Sequence, residues 1–63
     1  MDIDSAAQEL DTLLDGVGYH LTEARTSGLA DPEGVRSALR AARKKLGEAD
    51  SLVSHVAAER NKN

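Results

Sequence analysis

The chain has 63 residues, enough for one small domain but too few to bury a large core. It contains no cysteine, which excludes disulfides and thiolate metal sites, and its net charge of −3 argues against a general affinity for nucleic acid. No apolar run approaches the ~20 residues that span a bilayer, so we expect a soluble cytoplasmic protein without membrane contact.

The first predicted helix covers about residues 3–27. Ser5-Ala6-Ala7-Gln8 fits a capping box, with Asp2 and Asp4 as competing caps, so the helix begins between residues 3 and 6. Apolar residues then recur at alternating steps of four and three, the repeat of a coiled-coil seam. They are Ile3, Ala7, Leu10, Leu14, Val17, Leu21 and Ala24.

A four-residue turn over residues 28–31 is predicted next. Gly28 can adopt the left-handed conformation that ends a helix, with Leu29 folding back onto Ala24 as in a Schellman motif. Asp31 can cap the following helix, and Pro32 suits its first position. Because the connection is so short, the two helices should run antiparallel.

The second predicted helix covers about residues 32–59 and repeats the same apolar spacing. Its stripe consists of Val35, Leu39, Ala42, Leu46, Ala49, Val53 and Val56. A break near Gly47 is the alternative, with Asp50 or Ser51 capping a third short helix. The spacing continues through Gly47 without losing phase, so one helix is favoured. We expect the last five residues to fray.

The two stripes predict an all-α fold, an antiparallel two-helix hairpin that forms a single domain over residues 1–63. The favoured register sets Val17 opposite Leu46 and pairs large with small side chains in most layers. A shifted register sets Leu14 opposite Leu46. The sequence does not choose between them.

One flank of each stripe is expected to stay partly exposed in an isolated hairpin, and such an apolar strip normally marks a contact surface. Its residues are Ala6, Leu13 and His20 on the first helix and Ala38, Lys45 and Leu52 on the second. A second hairpin could cover the strip, so the leading assembly is a homodimeric four-helix bundle. A different helical partner is the alternative.

Tyr19 and the two histidines are the remaining candidates for contacts or ligands. Tyr19 lies opposite the stripe, as an anchor for a partner or as a singly exposed aromatic residue without a function. His20 shares a helix face with Glu23, and His55 lies off the stripe. Neither histidine has a familiar metal-ligand spacing, so no metal or other cofactor is expected.

Basic residues gather on one side of the second helix, where they could contact phosphates or an acidic partner. They are Arg36, Arg40, Arg43 and Lys44, with Arg25 near the same end of the hairpin. The favoured interpretation is a solvated face whose charges pair with the acidic first half of helix one, in this chain or a neighbour, because no aromatic residue is interleaved. Positive charge near the turn and negative charge near the termini would attract each other in an antiparallel pair of hairpins.

No serine stands in a nucleophile motif, and two helices offer no enclosed cleft, so no catalytic residue and no enzymatic activity are expected. The predicted function is that of a small protein–protein interaction module, acting as an adaptor, an inhibitor or an assembly subunit. The alternative is a nucleic-acid-binding helical-bundle dimer that uses the basic side of helix two.

Overall fold

A computed structural model describes residues 2–61 and contains two α-helices that pack against each other. Helix α1 spans Ile3–Ser27 and helix α2 spans Pro32–Arg60, with no strand in the described part of the chain. This arrangement confirms the predicted two-helix hairpin. Helix α2 runs through Gly47 without a break. The fraying predicted for the C-terminus concerns in part Lys62 and Asn63, which lie outside the described residues.

The N-terminus of α1 is capped by Asp2. Its carboxylate accepts a hydrogen bond from the Asp4 backbone N–H at 3.4 Å and another from the Ser5 hydroxyl at 3.0 Å. Ser5 therefore supports the cap and is not itself the cap that the capping-box pattern suggested. The helix begins at Ile3, within the predicted range.

The turn, residues 28–31, confirms one prediction and corrects another. Gly28 has a φ of 65° and donates its backbone N–H to the Ala24 carbonyl at 3.1 Å. Its ψ of 175° places it outside the left-handed helical region, in a region open almost only to glycine. Leu29 is 89% exposed, so the expected contact with Ala24 is wrong. Asp31 caps α2 as predicted.

The two helices meet through an interhelix core of small side chains. Four of its six buried residues are alanines, and the set is Ala6, Val17, Ala38, Ala42, Ala49 and Leu52. Gly16 lies beside Lys45, since a β-carbon built on Gly16 would be 3.4 Å from Lys45 Cδ and Cε. Small residues allow the helix backbones to approach closely and to gain dispersion contacts along their length.

The apolar stripes therefore meet by a different edge from the one predicted. Ala6, Ala38 and Leu52 were expected to stay partly exposed, yet they lie buried in the interhelix core. Leu14 and Leu46, predicted to lie between the helices, are 48% and 50% exposed. Both registers considered from the sequence direct Leu14 and Leu46 at the opposite helix, so the exposure of these residues contradicts the predicted contact face and not the alignment along the axis. The helices meet by the edge that carries the buried alanines, because small side chains permit closer packing.

Candidate interaction surface

Large aliphatic side chains that the hairpin leaves half exposed form the most prominent surface feature, here called the leucine face. It consists of Leu14 and Leu21 of α1 and Leu39, Leu46 and Val53 of α2, each between 45% and 50% exposed. Within each helix these residues are spaced seven apart, so they form one row along the helix. Two parallel rows of this kind make a continuous apolar strip.

Both rows lie on the same side of the hairpin. The evidence comes from the open end, where the chain termini lie. At this open end a shallow groove of about 270 Å³ lies between the helices. Ile3 and Ala7, which continue the α1 row, line it together with Val53 and Ala57 of α2. The two rows therefore border one surface, and the interhelix core forms its floor.

Charge is divided unequally along the hairpin. The hinge half, residues 16–46, carries six basic and three acidic side chains, a net charge of +3. The open half, residues 2–15 and 47–61, carries eight acidic side chains and Arg60, a net charge of −7. The monomer is therefore strongly dipolar along its long axis.

Charged side chains also border the leucine face along its two outer edges, here called the rims. Each rim residue lies three positions before a residue of the apolar row or its continuation, on the side away from the interhelix core. The α1 rim consists of Asp4, Asp11 and Gly18, with Arg25 one heptad beyond, and the α2 rim consists of Arg36, Arg43 and Asp50. All the charged rim residues are exposed.

The predicted basic cluster is exposed throughout. Arg25, Arg36, Arg40, Arg43 and Lys44 form no ion pair with another described residue. Within this chain they therefore do not pair with the acidic half of α1. Pairing with a neighbouring molecule stays a prediction.

The other predicted contact residues are dispersed. Leu13, His20 and Lys45 are half-buried at the edge of the interhelix core. Tyr19 is 65% exposed and borders a shallow groove with Thr22 and other residues of the last turns of α1. Of the predicted interface set, only Tyr19 is freely accessible in the hairpin.

Each histidine pairs with a glutamate of its own helix. His20 Nδ1 lies 2.8 Å from Glu23 Oε1, and the Tyr19 and His20 rings meet edge to face with 5.5 Å between their centres. His55 Nε2 lies 3.5 Å from Glu59 Oε1. These are local contacts along single helices, and among the described residues no three metal-binding side chains come together.

The sequence pattern did not reveal the leucine face, because it assigns these residues to the space between the helices. Within residues 2–61, neither helix is long and apolar enough to cross a membrane.

Comparison of the chain with protein-family models, with curated proteins and with solved structures finds no match in any of the three.

Proposed function

We propose that the chain is a non-enzymatic cytoplasmic interaction module whose leucine face packs against a second copy, forming a four-helix bundle. The observation that carries this proposal is the row spacing of five half-exposed Leu and Val side chains on one side of the hairpin. Scattered apolar residues are normal on a surface, whereas a continuous strip marks a site of contact.

The small interhelix core gives an energetic reason for association. Among the described residues no large side chain is fully buried, and alanines dominate the core. Burying the exposed half of one leucine contributes roughly 1 kcal/mol. Covering five such side chains in each copy would therefore add stability that a hairpin of this length lacks.

A second copy is favoured over an unrelated helix because the spacing of the rows and the charge distribution are self-complementary. The rows are similar in length and spacing, and the hinge half and the open half carry opposite net charge. Such a dimer would act stoichiometrically, as an adaptor, an inhibitor or an assembly subunit. Tyr19 and the shallow groove beside it lie away from the leucine face, so they would stay available to a further protein.

Sedimentation velocity over a wide concentration range tests the dimer. We expect twice the chain mass of 6.7 kDa, together with a melting temperature that rises with concentration. Leu46→Gln keeps a good helix former but removes the apolar contact, so it should shift the equilibrium to monomer. The matched control is Leu29→Gln, since Leu29 is exposed at the turn. A monomeric wild type would contradict the proposal, and so would a dimer whose dissociation constant Leu46→Gln leaves unchanged.

The exposed basic cluster supports a second candidate, a dimer that binds nucleic acid. The observation in its favour is that five neighbouring cationic side chains have no ion-pair partner among the described residues. Fluorescence anisotropy with labelled RNA and DNA tests it. Binding that weakens steeply with added salt, and that Arg40→Gln with Arg43→Gln abolishes, would support this function. Absence of binding at low salt would eliminate it.

A further inference from the structure

We propose that the two copies pack in opposite directions, with the turn of each hairpin against the open end of the other. A two-fold axis would lie between the two copies, perpendicular to the helices and at the level of Leu14 and Leu46. The inference rests on the proposed homodimer and adds to it the orientation, the register and the charged pairs that select them.

The spacing of the leucine face suits this symmetry. The α2 row is Leu39, Leu46 and Val53, so a two-fold axis at Leu46 sets Leu39 of one copy opposite Val53 of the second copy. The α1 row continues to Ala7, so an axis at Leu14 sets Leu21 opposite Ala7 of the second copy. Each helix would then lie antiparallel to its own counterpart.

One two-fold axis can relate both helices to their counterparts only if Leu14 and Leu46, the centres of the two rows, lie at the same level of the hairpin. The Lys45 side chain indicates that level, because its Cδ and Cε atoms lie 3.4 Å from the place that a β-carbon on Gly16 would take. Leu14 is two residues before Gly16, and Leu46 is one residue after Lys45. In antiparallel helices these steps lead in the same direction, so Leu14 and Leu46 lie at similar levels, within about one helical turn, ~5 Å.

Apolar spacing alone would also permit the opposite arrangement, with the two turns at the same end. Leu14 would then face Leu46 of the second copy, and Leu21 would face Leu39. Charge distinguishes the arrangements. With turns at the same end, two hinge halves of +3 and two open halves of −7 lie together, whereas opposite directions set each hinge half against an open half.

The rims show the same preference residue by residue. In the proposed arrangement Arg43 lies near Asp50 of the second copy, and Arg25 lies near Asp4 of the second copy. With turns at the same end, Arg25 would instead meet Arg36, and Asp11 would meet Asp50. Every one of these side chains is exposed and without an ion pair among the described residues, so each is available for a contact between copies.

Spin-label distances test the orientation directly, since the chain has no cysteine of its own. One label is placed at Thr26→Cys near the turn, and the control label at Asp15→Cys near the middle of α1; both sites are exposed. Thr26 is about 18 Å along the helix from Leu14, so opposite directions predict a separation of roughly 36 Å between the two Thr26 labels. With turns at the same end that separation falls to the bundle width, roughly 10–20 Å.

The Asp15 labels should be close in either arrangement, so they report dimer formation alone. A short Thr26 distance together with a short Asp15 distance would overturn the orientation and leave the dimer standing. No dipolar coupling from either label, with monomeric mass, would overturn the dimer and the orientation with it.

Charge reversal provides a second measurement. Arg43→Asp should weaken dimerisation roughly three- to tenfold, because each dimer contains two such pairs and each changes from attraction to repulsion. Adding Asp50→Arg should restore the affinity. With turns at the same end, Asp50→Arg alone would strengthen the dimer by relieving its contact with Asp11, and that result would overturn the proposal.

Discussion

Gly34 donates its backbone N–H to Asp31 Oδ1 at 3.2 Å, which closes the first turn of α2 over its capping residue. Replacing Asp31 with alanine removes this acceptor and should lower the free energy of unfolding by about 1 kcal/mol. Asp31→Asn keeps an acceptor oxygen in the same place and should recover most of the loss. Urea unfolding followed by circular dichroism measures both variants, and equal stability of Asp31→Ala and wild type would contradict the capping role.

The glycines of the helices should respond to alanine in opposite directions. A β-carbon on Gly18 or Gly47 would meet open space, so Gly18→Ala and Gly47→Ala should each raise the free energy of unfolding by ~1 kcal/mol. Gly34→Ala should destabilise, because its β-carbon would collide with the Asp31 carboxylate and lie 2.9 Å from Ser27 Oγ.

Gly28→Ala tests the glycine of the turn, in contrast to the glycines inside the helices. Its φ of 65° with ψ of 175° is a strained conformation for any residue with a side chain, so this variant should lose about 1–3 kcal/mol although the space around it is open. Thermal unfolding of the four variants at one concentration checks the set. A stabilised Gly28→Ala variant would show that the turn does not have this conformation.

The helix bounds could be predicted because their causes are local. The residues of the turn act on the backbone only within a few positions. Helix α1 ends just before Gly28, and helix α2 begins at Pro32, directly after its cap Asp31. The sequence does not choose the N-terminal cap, because Asp2, Asp4 and Ser5 all offer an oxygen within one turn. Only the observed hydrogen bonds show that Asp2 accepts from both of the others.

The contact face could not be predicted from periodicity, because each apolar stripe is wider than one helix can cover. The spacing marks Leu46 and Ala42 equally as members of the stripe, yet Ala42 is buried and Leu46 is half exposed. A usable signal was the division of the stripe by side-chain size. Alanines occupy one edge of α2 at positions 38, 42 and 49, and close helix packing favours that edge.

This close packing predicts that enlarging Ala42 is harmful. Ala42 is the most buried residue of the interhelix core, so Ala42→Leu must push the helices apart or force strained rotamers, which costs about 1–3 kcal/mol. The matched control is Ala58→Leu at an exposed position of the same helix, where the effect should stay within about 0.5 kcal/mol. If Ala42→Leu were as stable as wild type, the helices would have to meet by another edge.

The cap of α1 predicts a specific acid response. The Ser5 hydroxyl, and after it the Asp4 backbone N–H, hold the pKa of the Asp2 carboxyl below its usual range by hydrogen bonding to the ionised form. Because the folded pKa is lower than the unfolded one, the stabilisation is complete above the unfolded pKa and is lost as pH falls through the folded pKa. Asp2→Asn should remove this part of the pH dependence.

Ser5→Ala isolates the larger of the two causes. Without the hydroxyl, the pKa of Asp2 should rise toward its usual value while the backbone hydrogen bond from Asp4 keeps part of the shift. Carbon-detected NMR titration of the Asp2 carboxyl measures the change, and Ser54→Ala in α2 serves as the distant control. An Asp2 titration that is the same in both variants would mean that the Ser5 hydroxyl does not bind the carboxylate in solution, because a hydrogen bond to the charged form must lower its pKa.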